Sequence, residues 1–411
     1  MPPAAALLRP SPPAAAPEPR AQRGAARAFA FVETIERIAA ARDAWAEIAP
    51  LAAASPYQDF EFARLWLETV GAARGVAPLI VVARDAAGAV AALLPLGARA
   101  FGPLRLAAFL GSKDTNFNLG LFRRREAWPP EHVAALLAAA ARAAEPRVDA
   151  FLFANQPRDW QGAPNPLVRL PHQPSPSLAY KSALPDDFAA WLNAHASADA
   201  QKKLRKKAKR LEAMGPLAHR RAVDAAEADR LLAAFFAQKS ERMRALGVVN
   251  AYEEPEARAF LARLARCGLA AGAPKLELHG LFVGDRVAAT FGALSAGDRL
   301  SGLFLSNDVE AEIARSSAGA LIVQAVVREA IARGFKTFDL GVGEARYKEE
   351  ACEAEEPLFD SAFGVTLLGR AAARLFLAKQ RLKRRVKRSP RLLALFRQLF
   401  ALFRRLRGAP A

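Results

Sequence analysis

The chain has 411 residues, 52% of them hydrophobic, and a formal net charge of +18. That length and apolar fraction allow a large core and favour two domains, and they exclude a disordered or collagen-like chain. Fourteen of the net positive charges lie after Asp360, where no acidic residue follows, so the basic balance describes a tail and argues against a nucleic-acid binder throughout. The two cysteines, Cys267 and Cys352, offer neither a disulfide framework nor a zinc spacing. With no secretory pattern at the start and no apolar run near the roughly 18 residues of a membrane span, a cytoplasmic protein is expected.

Residues 1–28 are rich in Pro, Ala and Arg and predict a disordered tail. From Val32 to Thr69 the pattern reads as helical, broken at Ser55-Pro56. A strand over Leu79–Arg84, a turn at Asp85–Gly88 and a returning strand over Val90–Leu96 follow. A third strand (Leu104–Leu110), an apolar helix (Val133–Ala141) and a strand (Ala150–Phe153) complete a unit. The stretch Asp199–Met214 predicts a basic helix carrying Lys202, Lys203, Arg205, Lys206, Lys207, Lys209 and Arg210. Amphipathic helices over Ala226–Leu246 and Pro255–Cys267 come next.

The first order then recurs. Leu276–Val283 and Val287–Leu294 flank the hairpin signal Gly284-Asp285, and Leu300–Leu305 makes a third strand. A helix over Ser316–Arg333 and a strand over Phe335–Leu340 close the series. The expected fold is α+β (α/β), with two similar units in tandem. The boundaries read as 1–28 tail, 29–183 first unit, 184–272 basic helical insertion, 273–368 second unit and 369–411 basic amphipathic helical tail. Ser389-Pro390 divides that tail, whose Leu and Phe among arginines fit an anionic membrane surface or a coat on the body.

Phosphate-cradling, dinucleotide, serine-hydrolase and zinc-protease motifs are all lacking. The five histidines are scattered without ligand spacing, and no metal is expected. His279 sits in an alternating strand, which favours packing over a role as base. What remains is Arg315–Lys348. Arg315, Ser316, Ser317, Gly319 and Ala320 place small residues at a helix entry, where free N–H groups and the helix dipole suit a phosphate; a serine there also serves as a plain cap. Asp339, Gly341, Gly343, Glu344, Tyr347 and Lys348 stand where a strand opens onto a loop, a usual place for ligands in such sheets.

Several segments in order resemble the CelD/BcsL-type proteins, a GNAT acetyltransferase branch with a BioF-like acetyltransferase domain. They are Ser55-Pro-Tyr-Gln58 with Phe62, Leu65 and Trp66; Gln201–Lys207 with Arg210, Leu211 and Gly215; and Phe235, Lys239, Arg242 and Gly247. Ser317–Leu321 and Phe338–Gly343 with Tyr347-Lys348 complete the set. That family is similar to the Fem-type aminoacyltransferases, which also hold two GNAT-like units. The resemblance implies transfer from acetyl-CoA or another acyl-CoA to an amine or hydroxyl, with a small-molecule or sugar acceptor in exopolysaccharide or envelope synthesis. It leaves tRNA-dependent aminoacyl transfer and a non-catalytic scaffold as alternatives. Many relatives carry Gln/Arg-x-x-Gly-x-Gly/Ala at the pyrophosphate loop, whereas this chain has Arg315-x-x-x-Gly319-Ala320, one residue longer. Asp339 or Glu344 is then the expected base, Tyr347 the proton donor, and Lys348 the partner of a substrate anion, with Gly341 and Gly343 beside it.

Overall fold

The computed structural model describes residues 28–389; the predicted disordered tail before Ala28 and the second half of the basic tail lie outside the described residues. The first unit opens with β1 (Phe31–Ile35), α1 (Arg42–Ile48) and α2 (Phe60–Trp66). It continues with β2 (Ala77–Arg84), β3 (Val90–Phe101), β4 (Leu104–Phe109), β5 (Leu121–Phe122), α3 (Pro130–Ala143) and β6 (Ala150–Pro157). The helical reading from Val32 is corrected at its start. The alternating, β-branched Phe31-Val-Glu-Thr-Ile35 pairs antiparallel with β2 instead.

Short strands β7 (Asp159–Trp160), β8 (Ala163–Pro164), β9 (His172–Pro174) and β10 (Ala179–Ala183) lead to α4 (Phe188–His195) and α5 (Ala198–Glu212). The second unit follows as β11 (Leu217–Arg221), α6 (Ala225–Ala245), α7 (Pro255–Arg266), β12 (Glu277–Val283), β13 (Arg286–Ala296) and β14 (Arg299–Asn307). Then come α8 (Ala311–Arg315), α9 (Ala318–Ala332), β15 (Thr337–Val342), α10 (Arg346–Ala351), β16 (Ala354–Glu356), β17 (Leu358–Gly364) and α11 (Leu367–Arg388).

Each unit runs strand, two helices, a three-stranded antiparallel meander, a helix, and a strand parallel to the last of the meander. The sheet orders match: β1-β2-β3-β4-β6 in the first and β11-β12-β13-β14-β15 in the second. The parallel joints are β4–β6 and β14–β15. The segment 184–272, set apart by sequence as an insertion, therefore supplies the opening strand and helices of the second unit.

The units exchange their next strands. β10, from the first half of the chain, lies beside β15, while β17 returns to sit between β6 and β9 in the first sheet. Asp360 and Ser361 of β17 fix that return: Asn155 N donates to Asp360 Oδ1 at 2.9 Å, and Gln156 Nε2 to Ser361 Oγ at 2.8 Å. One core also spans both halves, with Phe62 of α2 meeting Phe260 of α7 edge-on at 5.2 Å.

Candidate functional site

β14 and β15 pair only over Arg299–Ser301 and Thr337–Asp339. Beyond those residues the strands part, and Asn116 of the first unit fills the gap. Its Nδ2 donates to the Gly302 carbonyl at 3.1 Å, and Val342 N donates to its Oδ1 at 3.1 Å. The same Nδ2 reaches the Tyr57 hydroxyl at 2.7 Å, which gives the buried Tyr57 of the Ser55-Pro-Tyr-Gln58 segment a positioning task. Gly341 is required there: its φ is +66°, and a Cβ would collide with the Asn116 amide.

Asp339 lies just before the gap and is fully buried. Arg299 Nε donates to its Oδ2 at 2.7 Å, and Gly341 N to its Oδ1 at 3.0 Å. The same guanidinium donates to Glu356 Oε2 at 2.6 Å and stacks over Trp160 at 4.0 Å. A carboxylate shut in this way holds the sheet together and has no open path to a substrate proton. Glu344 stands apart on the surface, its carboxylate 3.3 Å from Lys387 of α11. The structure thus brings neither proposed base to the cavity described next.

Ser317 separates α8 from α9, splitting the single predicted helix over Ser316–Arg333. It adopts a left-handed conformation (φ +54°) and makes no side-chain cap to α9. Its hydroxyl instead accepts from Lys207 Nζ at 2.7 Å. The first turn of α9 is therefore left without a serine cap and sits beside a lysine of the basic helix. Ser317, Ala320, Lys203, Lys207, Arg346 and Tyr347 all line one cavity of about 390 Å³ between α4, α5, α9 and α10. Arg315 and Ser316 do not line it. Arg315 is exposed and lies 3.6 Å from Glu312, while the buried Ser316 donates to the Glu312 carbonyl at 2.7 Å. Gly319 lies on the same turn, facing Asn307 and Leu305 at ordinary contact distance.

Lys348 is buried and donates to the Val342 carbonyl at 2.8 Å, at the open end of β15. Burial lowers its ammonium to about 8. Burial moves the neighbouring Tyr347 the other way, up to about 12. Gly343, φ +108°, donates to the Leu178 carbonyl at 2.9 Å and turns the chain from β15 toward α10. Cys352 is buried, with its thiol pushed up to about 12, which makes it a poor nucleophile. Lys203 and Lys207, which line the cavity, belong to the basic helix that the sequence offers either as a solvated face or as a binder of an acidic ligand such as the phosphates of CoA. Nothing in the sequence showed which of its faces meets α9.

Two matched sheets, each with its parallel joint and a helix crossing over it, give the chain the tandem fold of GNAT-type acyltransferases. Residues 198–349 match the model of the acetyltransferase (GNAT) domain family. FemX is similar in structure over 81% of this chain and 97% of its own, at 10% identity and a TM-score of 0.53. The C-terminal domain of a protein described as a lysylphosphatidylglycerol synthetase, from Agrobacterium fabrum, is similar over 83% and 96%, at 10% identity and a TM-score of 0.50. A conserved protein of unknown function from Bacteroides thetaiotaomicron is similar over 80% and 99%, at 10% identity and 0.50. No curated protein matches the sequence.

Proposed function

We propose that the chain transfers an acyl group from an acyl-CoA, held at the start of α9, to an amine or hydroxyl. The observation that carries this reading is the meeting of Ser317, Lys207 and Tyr347 in one cavity of the second unit. The N–H groups opening α9, with Lys203 and Lys207 across from them, suit the diphosphate of CoA. Arg315 is not needed for this, which accommodates the altered loop spacing.

Direct transfer needs a proton for the departing thiolate, whose ordinary pKa lies near 8.5. Tyr347 lines the cavity and, at about 12, keeps its proton, so its hydroxyl is the group placed to pass a proton to the thiolate and to take one back from the attacking amine or hydroxyl. Lys348, whose Nζ is held by the Val342 carbonyl outside that lining, positions the loop. Transfer of labelled acetyl from acetyl-CoA to a panel of amines and amino-sugars tests these roles. Tyr347→Phe, which removes only a hydroxyl, should lower the rate and leave the fold intact. An unchanged rate in that variant removes Tyr347 as the donor of the proton, and no transfer from any acyl-CoA removes the reading itself.

The ordered segments shared with CelD/BcsL-type proteins support a sugar or amino-sugar acceptor in exopolysaccharide or envelope synthesis. The likeness to FemX supports an aminoacyl donor as the second reading, and an aminoacylated carrier added to the same assay separates the two.

The tail supports attachment to an anionic membrane surface without spanning. α11 buries Ala373 and Leu377 against Ala362, and it leaves Leu368, Leu375 and Leu382 exposed in a line at seven-residue spacing among Arg and Lys. None of the described helices is long and apolar enough to cross a membrane. Co-sedimentation with anionic vesicles should be strong and should weaken with salt and with deletion after Arg388. Equal partition onto neutral vesicles would leave the tail as a coat on the body.

A further inference from the structure

Three side chains of metal-ligand type meet far from the cavity, where β11 and β12 pair beneath the later turns of α9. The register sets Arg221 opposite His279 and His219 opposite Leu281, so the two histidines are diagonal neighbours on one sheet face. His219 Nε2 and His279 Nδ1 lie 3.2 Å apart, with the rings nearly parallel. Glu329 of α9 comes down on the pair, its Oε2 3.8 Å from His279 Nδ1, while its Oε1 accepts from Arg221 at 2.9 Å. One ligand atom from each of the three residues lies within 4.8 Å of the others.

We propose that His219, His279 and Glu329 bind a divalent transition-metal ion of the zinc class, with Glu277 behind His279 as its orienting carboxylate.

Distances fit that assignment. Two nitrogens bound to one tetrahedral zinc at about 2.0–2.1 Å stand roughly 3.3–3.4 Å apart, close to the 3.2 Å between His219 Nε2 and His279 Nδ1, whose mutual hydrogen bond the ion would replace as the rings turn toward it. Glu329 Oε2 lies 3.8 Å from His279 Nδ1 and 3.8 Å from His219 Nδ1, and it closes on the ion by a side-chain movement open to a partly exposed residue on a helix. Arg221 engages only its other oxygen.

The outer nitrogen of His279 supplies an independent sign. Nε2 is buried without a hydrogen-bond partner and faces Glu277 Oε2 at 3.7 Å. Glu277 is itself gripped by Arg333 through both carboxylate oxygens. A carboxylate behind a ligating histidine is the usual support of a bound metal, and a small turn of the His279 ring would bring Nε2 within hydrogen-bond reach of Glu277. His219 is only partly buried, which leaves the fourth position to water and gives the ion a way in. Arg221 and Arg333 neutralise the two glutamates, which limits the attraction and sets the expected affinity in the micromolar range. The bound ion would tie the edge strand β11 to α9. The assignment is independent of the acyl-transfer reading.

The test is titration of Co2+ into the full chain, stripped with chelator and free of any histidine tag, followed by visible absorption. One equivalent should saturate at micromolar Co2+, Zn2+ should displace it, and Zn2+ should raise the melting temperature. His219→Ala and Glu329→Gln, chosen because both side chains are partly exposed, should each weaken binding tenfold or more and abolish the thermal shift. The buried His279 is left intact so that folding is preserved. Absence of saturable absorption up to about 1 mM Co2+ overturns the assignment. So does unchanged binding in His219→Ala, which would place the ion elsewhere.

Discussion

Arg299→Met should lower the stability of the fold by about 3–5 kcal/mol, since it leaves Asp339 buried without its cation and Glu356 with only Lys181 at 3.3 Å. Asp339 is fully buried and Glu356 is nearly so, and both carboxylates accept from this one guanidinium. Arg299→Lys should recover little, because one ammonium cannot span two carboxylates that the planar fork reaches from Nε and Nη2. The variant also removes the cation stacked on Trp160, whose strand belongs to the first half of the chain. Urea unfolding followed by circular dichroism reads the loss as a lower midpoint. A change below about 1 kcal/mol would show that water already reaches the network and that Asp339 is open after all.

A second large effect is expected at the donor cavity. Lys203→Ala combined with Lys207→Ala should weaken acyl-CoA binding by tenfold or more, from the loss of charge-assisted contacts worth about 1.5–3 kcal/mol each when well formed. Titration calorimetry measures it, and the difference should shrink as salt is added. Lys206→Ala, on the same helix but outside the cavity lining, should bind as the unaltered chain does. Equal affinity in the double variant would place the phosphates away from α5.

The meander strands, their hairpins and the crossing helices were legible because period-2 alternation and turn residues are local signals. The exchange of β10 and β17 was not, since nothing within Tyr180-Lys-Ser182 or Asp360-Ser361 says which sheet they will join. The surroundings of Asp339 were hidden for a similar reason. A carboxylate at a strand end suggests a base until its partner appears, and Arg299 lies forty residues earlier on the neighbouring strand. Ser317 and Ala320 were read as a helix entry and Tyr347 as part of a loop after a strand, and only packing shows that they share a cavity with Lys207. His219 and His279 are sixty residues apart, so the absence of ligand spacing carried no information about their meeting across β11 and β12.

The second unit, at the start of α9, is the proposed seat of the acyl donor. Amide hydrogen exchange with and without acetyl-CoA tests it most directly, because the first unit offers its own helix entry at α3 for comparison. Protection should appear at residues 317–321 and along 203–207, and be absent at 130–134. Unchanged exchange at 317–321 with saturating acyl-CoA, or protection centred on the start of α3, would contradict it.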